Sequence, residues 1–386
     1  MDTNDFLGSF AQENVSFTTK VIKTSRVGDN FWKVMVFVEN DRFVDASTDV
    51  WTVVPSSSTL KALTVTASDY AEYTNGLLQS WLYDLFCNGF TGDCILVACA
   101  DKPTGEETNE AFIKAMDTAY DLLKAYAYHK TVCAGSENAV SADIAVELAK
   151  LCADDKNLLS SAPYYPFSTA TPTNPDSDTL YSAIKAAGYD AFMSAHQDAT
   201  RNAALYSLGL AMSSLNGSGT CVGNGFDMVS SANITSSGTG GMGLSKSVRT
   251  SLKLLNIQTF KPVGDNSGAV AAIGASTLNG DIVQATWIIA YVTYMTKVAV
   301  AKLITSGNFL KNAGNYSRIV TLMGSYLANF GPSGSGRLEG LSISAPAFDQ
   351  LPEAKDDQII IPDAWSARYV DQVREVQITG SLYIGA

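Results

Sequence analysis

The chain has 386 residues, of which 46% are hydrophobic and 17% charged, and its formal net charge is −12. That balance supports a sizeable core and excludes an intrinsically disordered polymer. The acidity, with no Lys/Arg-rich run, argues against wrapping nucleic acid, so no direct nucleic-acid partner is expected.

The length allows one large domain or two to three ordinary ones. The most apolar run, Trp287 to Ile304, is interrupted by Lys297 and Lys302. It reads as a buried amphipathic helix, and no membrane insertion is expected. The opening MDTNDFLGSF has neither the basic nor the apolar region of a secretory signal. Cys87, Cys94, Cys99, Cys133, Cys152 and Cys221 match no zinc spacing and no C-x-x-C motif. Reduced thiols in a cytoplasmic product are the expectation.

Taken in order, Glu13 to Ile22 alternates as a strand, with Val15, Phe17 and Val21 on one face. Phe31 to Val38 is nearly continuous in apolar residues, the pattern of a strand buried on both faces. Trp51 to Val54 reads as a short strand. Ser68 is placed to cap a short turn carrying Tyr70 and Tyr73. Leu77, Leu78, Trp81, Leu82 and Leu85 then take helical spacing, predicting a helix over Gly76 to Phe86 with Gly89 as its left-handed cap. Cys94 to Ala100 is a buried strand. Glu107 to Lys124 is a helix with Ala111, Ala115, Ala119, Leu122 and Leu123 inward. Tyr126 to Cys133 reads as a strand, Ser141 to Leu151 as a capped helix, and Leu158 to Tyr165 as a strand.

The turn-rich Thr169 to Asp178 is a loop. Ser177 to Ala187 and Thr200 to Leu215 read as helices, with Tyr189 to Ala195 a strand between them. Phe226 to Val229 is a packed segment between Gly/Ser loops. Ser245 to Leu255 is a helix with Val248, Leu252 and Leu255 inward. Gln258 to Val263 and Ala269 to Ile273 are strands. Asp281 to Ile304 is the longest helix, Asn315 to Phe330 another, and Ile359 to Pro362 a short strand. The alternation of strands and helices gives the fold class as α/β with mixed α+β character: layered sheets, flanking helices, and extended N- and C-terminal β-arms.

Residues suited to chemistry are sparse. His129 and His196 are the two histidines, and neither stands in a metal spacing. Cys94 or Cys133 beside either histidine is the nearest approach to a nucleophile pair, without a local signature. Gly238 to Ser247 is Gly-rich, but Leu244 stands where a phosphate loop needs lysine. The acidic pairs at 154–155 and 176/178 lack a calcium-loop array. No catalytic, cofactor-binding or metal-binding residue is assigned, and no cofactor is expected.

The last stretch, Val373 to Ile384, alternates strictly. Val376, Ile378, Leu382 and Ile384 share one face, with Gly380 between them. No sequence comes after it to form a hairpin, so its partner lies far upstream or in another chain. The N-terminal strand poses the same question. Both strands pairing inside one globule, an α/β enzyme without a recognisable motif, and an assembly subunit all remain open.

Three segments resemble the sheath proteins of contractile phage tails and related injection systems. Tyr70 to Cys99 is similar to their aromatic turn, helix, F-x-N-G-type corner and strand. Leu255 to Gly280 is similar to their strand, Gly-rich turn and second strand leading into G-x-x-T-L (Gly274 to Leu278) before a long helix. The ending YVDQVREVQITGSLYIGA resembles their closing strand. The chain differs where such proteins carry arginines after T-L, having Gln284, Ala285 and Thr286. The resemblance implies a virion tail subunit made in the bacterial cytoplasm. It implies hexameric rings of self-contacting subunits stacked around a tail tube protein, bounded by baseplate and tail terminator proteins, and contracting to drive the tube through the host envelope. Another phage structural protein, a tube or capsid-like subunit, is the neighbouring alternative. The sheath resemblance implies an N-terminal arm at 1–24 (strand 13–22), an outer α/β domain at 25–198, a tube-proximal core domain at 199–370 and a C-terminal β-arm at 371–386. Val15, Phe17, Val21, Val376, Ile378, Leu382 and Ile384 become intersubunit contacts, with Gly28 a hinge on one side and Gly380 or the Asp349–Gln358 loop a hinge on the other.

Overall fold

Strand β1 (Val34–Val38) lies at the heart of the molecule, every residue fully buried. The computed structural model describes residues 30–43, 61–99, 109–124, 126–134, 140–154, 164–166, 179–198, 200–213, 230–231, 233–235, 238, 244–262, 270–273, 276–305, 310–334, 336–352, 359, 361 and 364–370. The architecture is mixed α/β, a mixed sheet flanked by helices. In that sheet β1 is flanked in parallel by β3 (Cys94–Ala98) and β4 (His129–Cys133). The antiparallel β2 (Lys61–Val65) adds to β3, giving the order β2-β3-β1-β4. Burial on both faces explains the unbroken apolar runs of β1 and β3. No strand was expected at 61–65; Lys61 and Thr64 break its apolar pattern at the sheet edge.

The first helices are α1 (Tyr70–Tyr73) and α2 (Gly76–Phe86). Asp69, not Ser68, stands at the N-cap of α1. Leu78, Trp81, Leu82 and Leu85 of α2 are buried as their spacing predicts, and Gly89 closes it at φ +80°. Helix α3 (Glu110–Leu123) differs from expectation. Its buried face is Phe112, Met116, Ala119, Tyr120 and Leu123, while Ala111 and Leu122 are exposed. The aromatic and methionine side chains bury far more surface than alanine, so they set the helix phase.

The chain continues through α4 (Ala142–Asp154), β5 (Tyr164–Pro166), α5 (Thr179–Ala186), β6 (Ser194–His196) and α6 (Ala203–Ser213). The expected strand at 189–195 reduces to β6, which pairs in parallel with β5. Next come β7 (Ser230–Ser231), α7 (Lys246–Leu254), β8 (Thr259–Pro262) and β9 (Val270–Ile273), the strands forming an antiparallel sheet in the order β7-β9-β8. Ser245 caps α7 by accepting the Val248 N–H. The T-L turn then launches α8 (Val283–Thr305). Thr277 Oγ1 accepts the Asp281 N–H, and the Leu278 N–H donates to Ala191 O at 2.9 Å. Lys185 Nζ donates to Leu278 O and Asn279 Oδ1, so the turn is tied to α5.

Helix α8 is long and apolar enough to cross a bilayer by length and composition, and half of its most apolar window is buried in the fold. Lys297 is buried on it, and burial pushes its ammonium down to about 7. Helix α9 (Ala313–Ala328) packs on α8, and β10 (Leu338–Ile343) with β11 (Trp365–Tyr369) completes the described elements. Neither β10 nor β11 was expected. Residues 359 and 361 are not in a strand, contrary to the strand expected at 359–362; Ile359 and Ile361 instead pack against Val300 and Ile319. The strands expected at 13–22, 51–54 and 373–384 and the packed segment 226–229 lie outside the described residues.

One apolar cluster runs from Phe31 to Leu338, crossing the expected boundary at 198/199. Its densest part is aromatic. Phe31 is surrounded by Trp32, Tyr128, His129, Trp287, Tyr291 and Tyr294, with ring centroids 4.8–5.6 Å away. His129 stacks flat on Trp287 at 4.5 Å. Neither imidazole nitrogen makes a full-geometry hydrogen bond among the described residues, the Phe31 backbone being the hydrogen-bonding group that acts on the ring. Burial, and then the Lys130 ammonium, push its pKa down to about 3 against an opposing pull from the Phe31 backbone.

Two substitutions test this packing. Helices α2 and α6 approach so closely that a Cβ at Gly209 would overlap the Leu85 carbonyl oxygen. Gly209→Ala therefore costs about 3 kcal/mol of unfolding free energy, read by urea titration. For His129, the folded-state pKa is below that of the unfolded chain. Its contribution is complete above about 6.5 and is lost as pH falls toward about 3. His129→Phe should raise stability by about 1–2 kcal/mol at neutral pH, since a buried and poorly hydrogen-bonded imidazole is replaced by an apolar ring. It should also flatten the acid limb of the stability profile. An unchanged acid slope would show that the histidine does not carry it.

Candidate assembly site

The β10–β11 ribbon is built by a short antiparallel register: Leu338 opposite Tyr369, Glu339 opposite Arg368, Ser342 opposite Ser366, and Ile343 opposite Trp365. A bulge falls between Glu339 and Ser342, where Gly340 takes φ +60°. That left-handed conformation suits glycine, and the extra residue twists the strand. In β11 the side chains alternate. Trp365, Ala367 and Tyr369 are half-buried against the body, and Ser366 and Arg368 are exposed.

Three anchors seat the ribbon. Leu338 enters the main core, and its N–H donates to Phe330 O at 2.8 Å. Tyr369 Oη donates to Gln284 Oε1 at 2.7 Å, reaching the first turn of α8. Ile343 lies over Gly324 of α9 while remaining 40% exposed. The outer face carries the Glu339–Arg368 ion pair, which is largely solvated. Among the described residues no third strand pairs with either β10 or β11. Two strands alone make a marginal sheet, and their outer edges are templates for strand addition.

The arm residues Val15, Phe17, Val21, Val376, Ile378, Leu382 and Ile384, and the hinge glycines Gly28 and Gly380, all lie outside the described residues. So does residue range 353–358 of the expected hinge loop. The ribbon was missed in the sequence, although the alternation of Trp365, Ala367 and Tyr369 with Ser366 and Arg368 is a period-2 signal. Gly340 and the bulge hide the matching signal in β10.

The residues weighed for catalysis fall apart in space and chemistry. His129 belongs to the aromatic core. His196 uses both ring nitrogens on the backbone: Nδ1 accepts the Asp198 N–H at 3.0 Å, and Nε2 lies 3.2 Å from Thr235 O. Burial lowers its pKa. Cys94 and Cys133 are fully buried, and burial raises both thiols, Cys133 to about 12.

The best-developed polar cluster joins α2, α6 and the 233–235 segment. Asp84 is fully buried; it accepts Arg201 Nε at 2.8 Å and the Asn202 N–H at 2.6 Å. Arg201 also donates to Asn233 O, and Asn233 Nδ2 to Cys87 O and Asn88 Oδ1. Burial pushes the Asp84 carboxyl up to about 6 against Arg201 and the Asn202 N–H, while Asp84 holds the Arg201 guanidinium above its ordinary value. Burial works against the Asp84 charge, and the Arg201 guanidinium and the Asn202 N–H favour it. The arrangement caps α6 and staples it to α2. Asp84→Ala should therefore lower stability by about 2 kcal/mol at neutral pH, measured by denaturant titration, because Arg201 and the Asn202 N–H lose their acceptor. Compared with protein-family models and with curated protein sequences, the chain matches none.

Proposed function

We propose that the chain is the structural subunit of a contractile tail sheath, and that the β10–β11 ribbon is the acceptor for arms donated by neighbouring copies. One observation carries this reading: a two-stranded ribbon seated on the core by one face, with no third strand on either side among the described residues. Strand β11 ends at Tyr369, immediately before the alternating arm at 371–386. An added strand satisfies backbone groups along a ribbon edge and sets alternate side chains on the sheet faces. The even-numbered arm residues Val376, Ile378, Leu382 and Ile384 then extend the half-buried face of Trp365, Ala367 and Tyr369. The body moves as one packed unit, and the arms keep copies linked while bodies shift between two packings. Tube, baseplate and terminator proteins are the further partners of this reading.

The test is truncation. Deleting Ser381 to Ala386 should leave a folded chain, by circular dichroism and thermal melt, that forms no rings, rods or polysheaths in negative-stain images. The full chain should form them. Unfolding of the truncated chain would assign the strand to its own core. A full chain that stays strictly monomeric at high concentration would overturn the assembly reading.

A further inference from the structure

The charge of this chain is unevenly distributed. Residues 1–198 hold 13 Lys/Arg and 27 Asp/Glu, a net −14, while residues 199–386 hold 13 and 11, a net +2. Between Asp227 and Asp265 there is no acidic residue, and Lys246, Arg249, Lys253 and Lys261 all fall in that interval. Three of these lie on α7. Lys246 and Lys253 are exposed, and Arg249 is turned back onto the Leu244 carbonyl oxygen. Beside them Leu254 is 78% exposed, the most exposed of the large apolar side chains described. The inner side of α7 is committed to the core through Leu252. Its outer side is a cationic face with an apolar tip.

The opposite surface character is found on α3 and α4. These helices carry Glu110, Asp117, Asp121, Asp143, Glu147 and Asp154 against Lys114 and Lys150, and Lys124 just past the end of α3 pairs with Asp121 at 2.9 Å. Glu110, Asp121, Asp143 and Asp154 are exposed. The two helices are held side by side there, with Asn109 Nδ2 donating to both Asp143 oxygens at 2.9 and 3.0 Å. The Asp117 carboxyl is raised first by burial and then by Glu147 and Asp121, so the carboxylates crowd one another.

We infer that α7 is a docking helix for the α3–α4 face of a second copy of this chain, with Lys246 and Lys253 meeting its carboxylates and Leu254 packing at the contact. Charge complementarity selects the occupant, because the acidic excess lies in the N-terminal half of the same sequence. Such a contact joins two different surfaces, so it is head-to-tail: each docked copy still presents a fresh acidic face and a fresh basic helix. It needs no donated strand and stands apart from the arm reading.

The experiment uses the full chain, with association followed by light scattering at about 0.05 M and about 0.5 M salt, where the screening length falls severalfold. Lys246→Glu with Lys253→Glu should weaken association about tenfold or more at low salt and leave the thermal melt unchanged, since both side chains are exposed. Adding Glu110→Lys and Asp121→Lys to that chain should restore association. Carbodiimide coupling of the unaltered chain should join α7 lysines to α3 or α4 carboxylates between copies. Association that is indifferent to the first reversal, or that the second reversal fails to restore, would overturn the inference, as would cross-links joining α7 to other surfaces. Truncation at Ser381 separates the two proposals: it should remove linked polymers and leave this salt-sensitive contact in place.

Discussion

The stacking of His129 on Trp287, inside the ring of aromatics around Phe31, is the contact on which the rest of the molecule depends. It joins three distant stretches of chain: the entry to β1, the start of β4 and the first turns of α8. Offset and edge-on aromatic pairs add directional preference to their buried area. Helix α8 is therefore held in one position against the sheet as well as attracted to it. The elements C-terminal to α8 inherit that placement. Helix α9 packs on α8, Ile343 of β10 packs over α9, and Tyr369 of β11 hydrogen-bonds to Gln284 at the start of α8. The ribbon near the C-terminus is thus positioned by a residue at position 31.

An open ribbon is a hazard as well as an opportunity, and this one carries some of the usual protections. The bulge at Gly340 twists β10 away from a flat template, and Glu339 and Arg368 place charge on the exposed face. Both devices discourage indiscriminate edge pairing. Neither closes the ribbon to a strand of matching alternation. Selectivity of this kind fits the proposed reading, in which the donor is tethered to a nearby copy and so held at high effective concentration. On the proposed reading, the seating of Leu338 and Tyr369 would leave little of the ribbon to be ordered by an added strand, so less of the binding energy would be offset.

The legible parts of the sequence were those where one physical term dominated. Helix α2 matches its expected bounds, because its apolar spacing, the absence of internal glycine after Gly76 and the cap at Gly89 agree. Strands β1 and β3 were legible because burial on both faces leaves no polar position. Helix α3 was placed correctly but turned by about one residue, since alanine spacing was weighed equally with Phe112, Met116 and Tyr120. Strands β2, β10 and β11 were hidden because each lies at an edge or half in solvent, where polar residues are tolerated and hydrophobic pattern is diluted. The histidines illustrate a different limit. Nothing near His129 in sequence hints at Trp287, because their stacking exists only through long-range packing. The polar staple of Asp84 and Arg201 is equally invisible, its two halves being separated by more than a hundred residues.

The Thr277–Leu278 turn has a physical role in this wiring. Thr277 closes the turn onto Asp281, Leu278 is buried and bonded to Ala191, and Asn256 and Lys185 both reach the Leu278 carbonyl. The turn thus fixes where α8 begins relative to β6 and α5. A long helix launched with a small angular error would miss the Phe31 cluster, and the error would grow toward its far end. A tightly bonded turn at its start, an aromatic lock along its first turns and a ribbon anchored at Gln284 together over-determine its direction. On the proposed sheath reading, in which the subunit changes its contacts with neighbours, this rigidity has a use. Deformation is then confined to the connections between bodies, and a displacement at one face is carried to the others without being absorbed inside the fold.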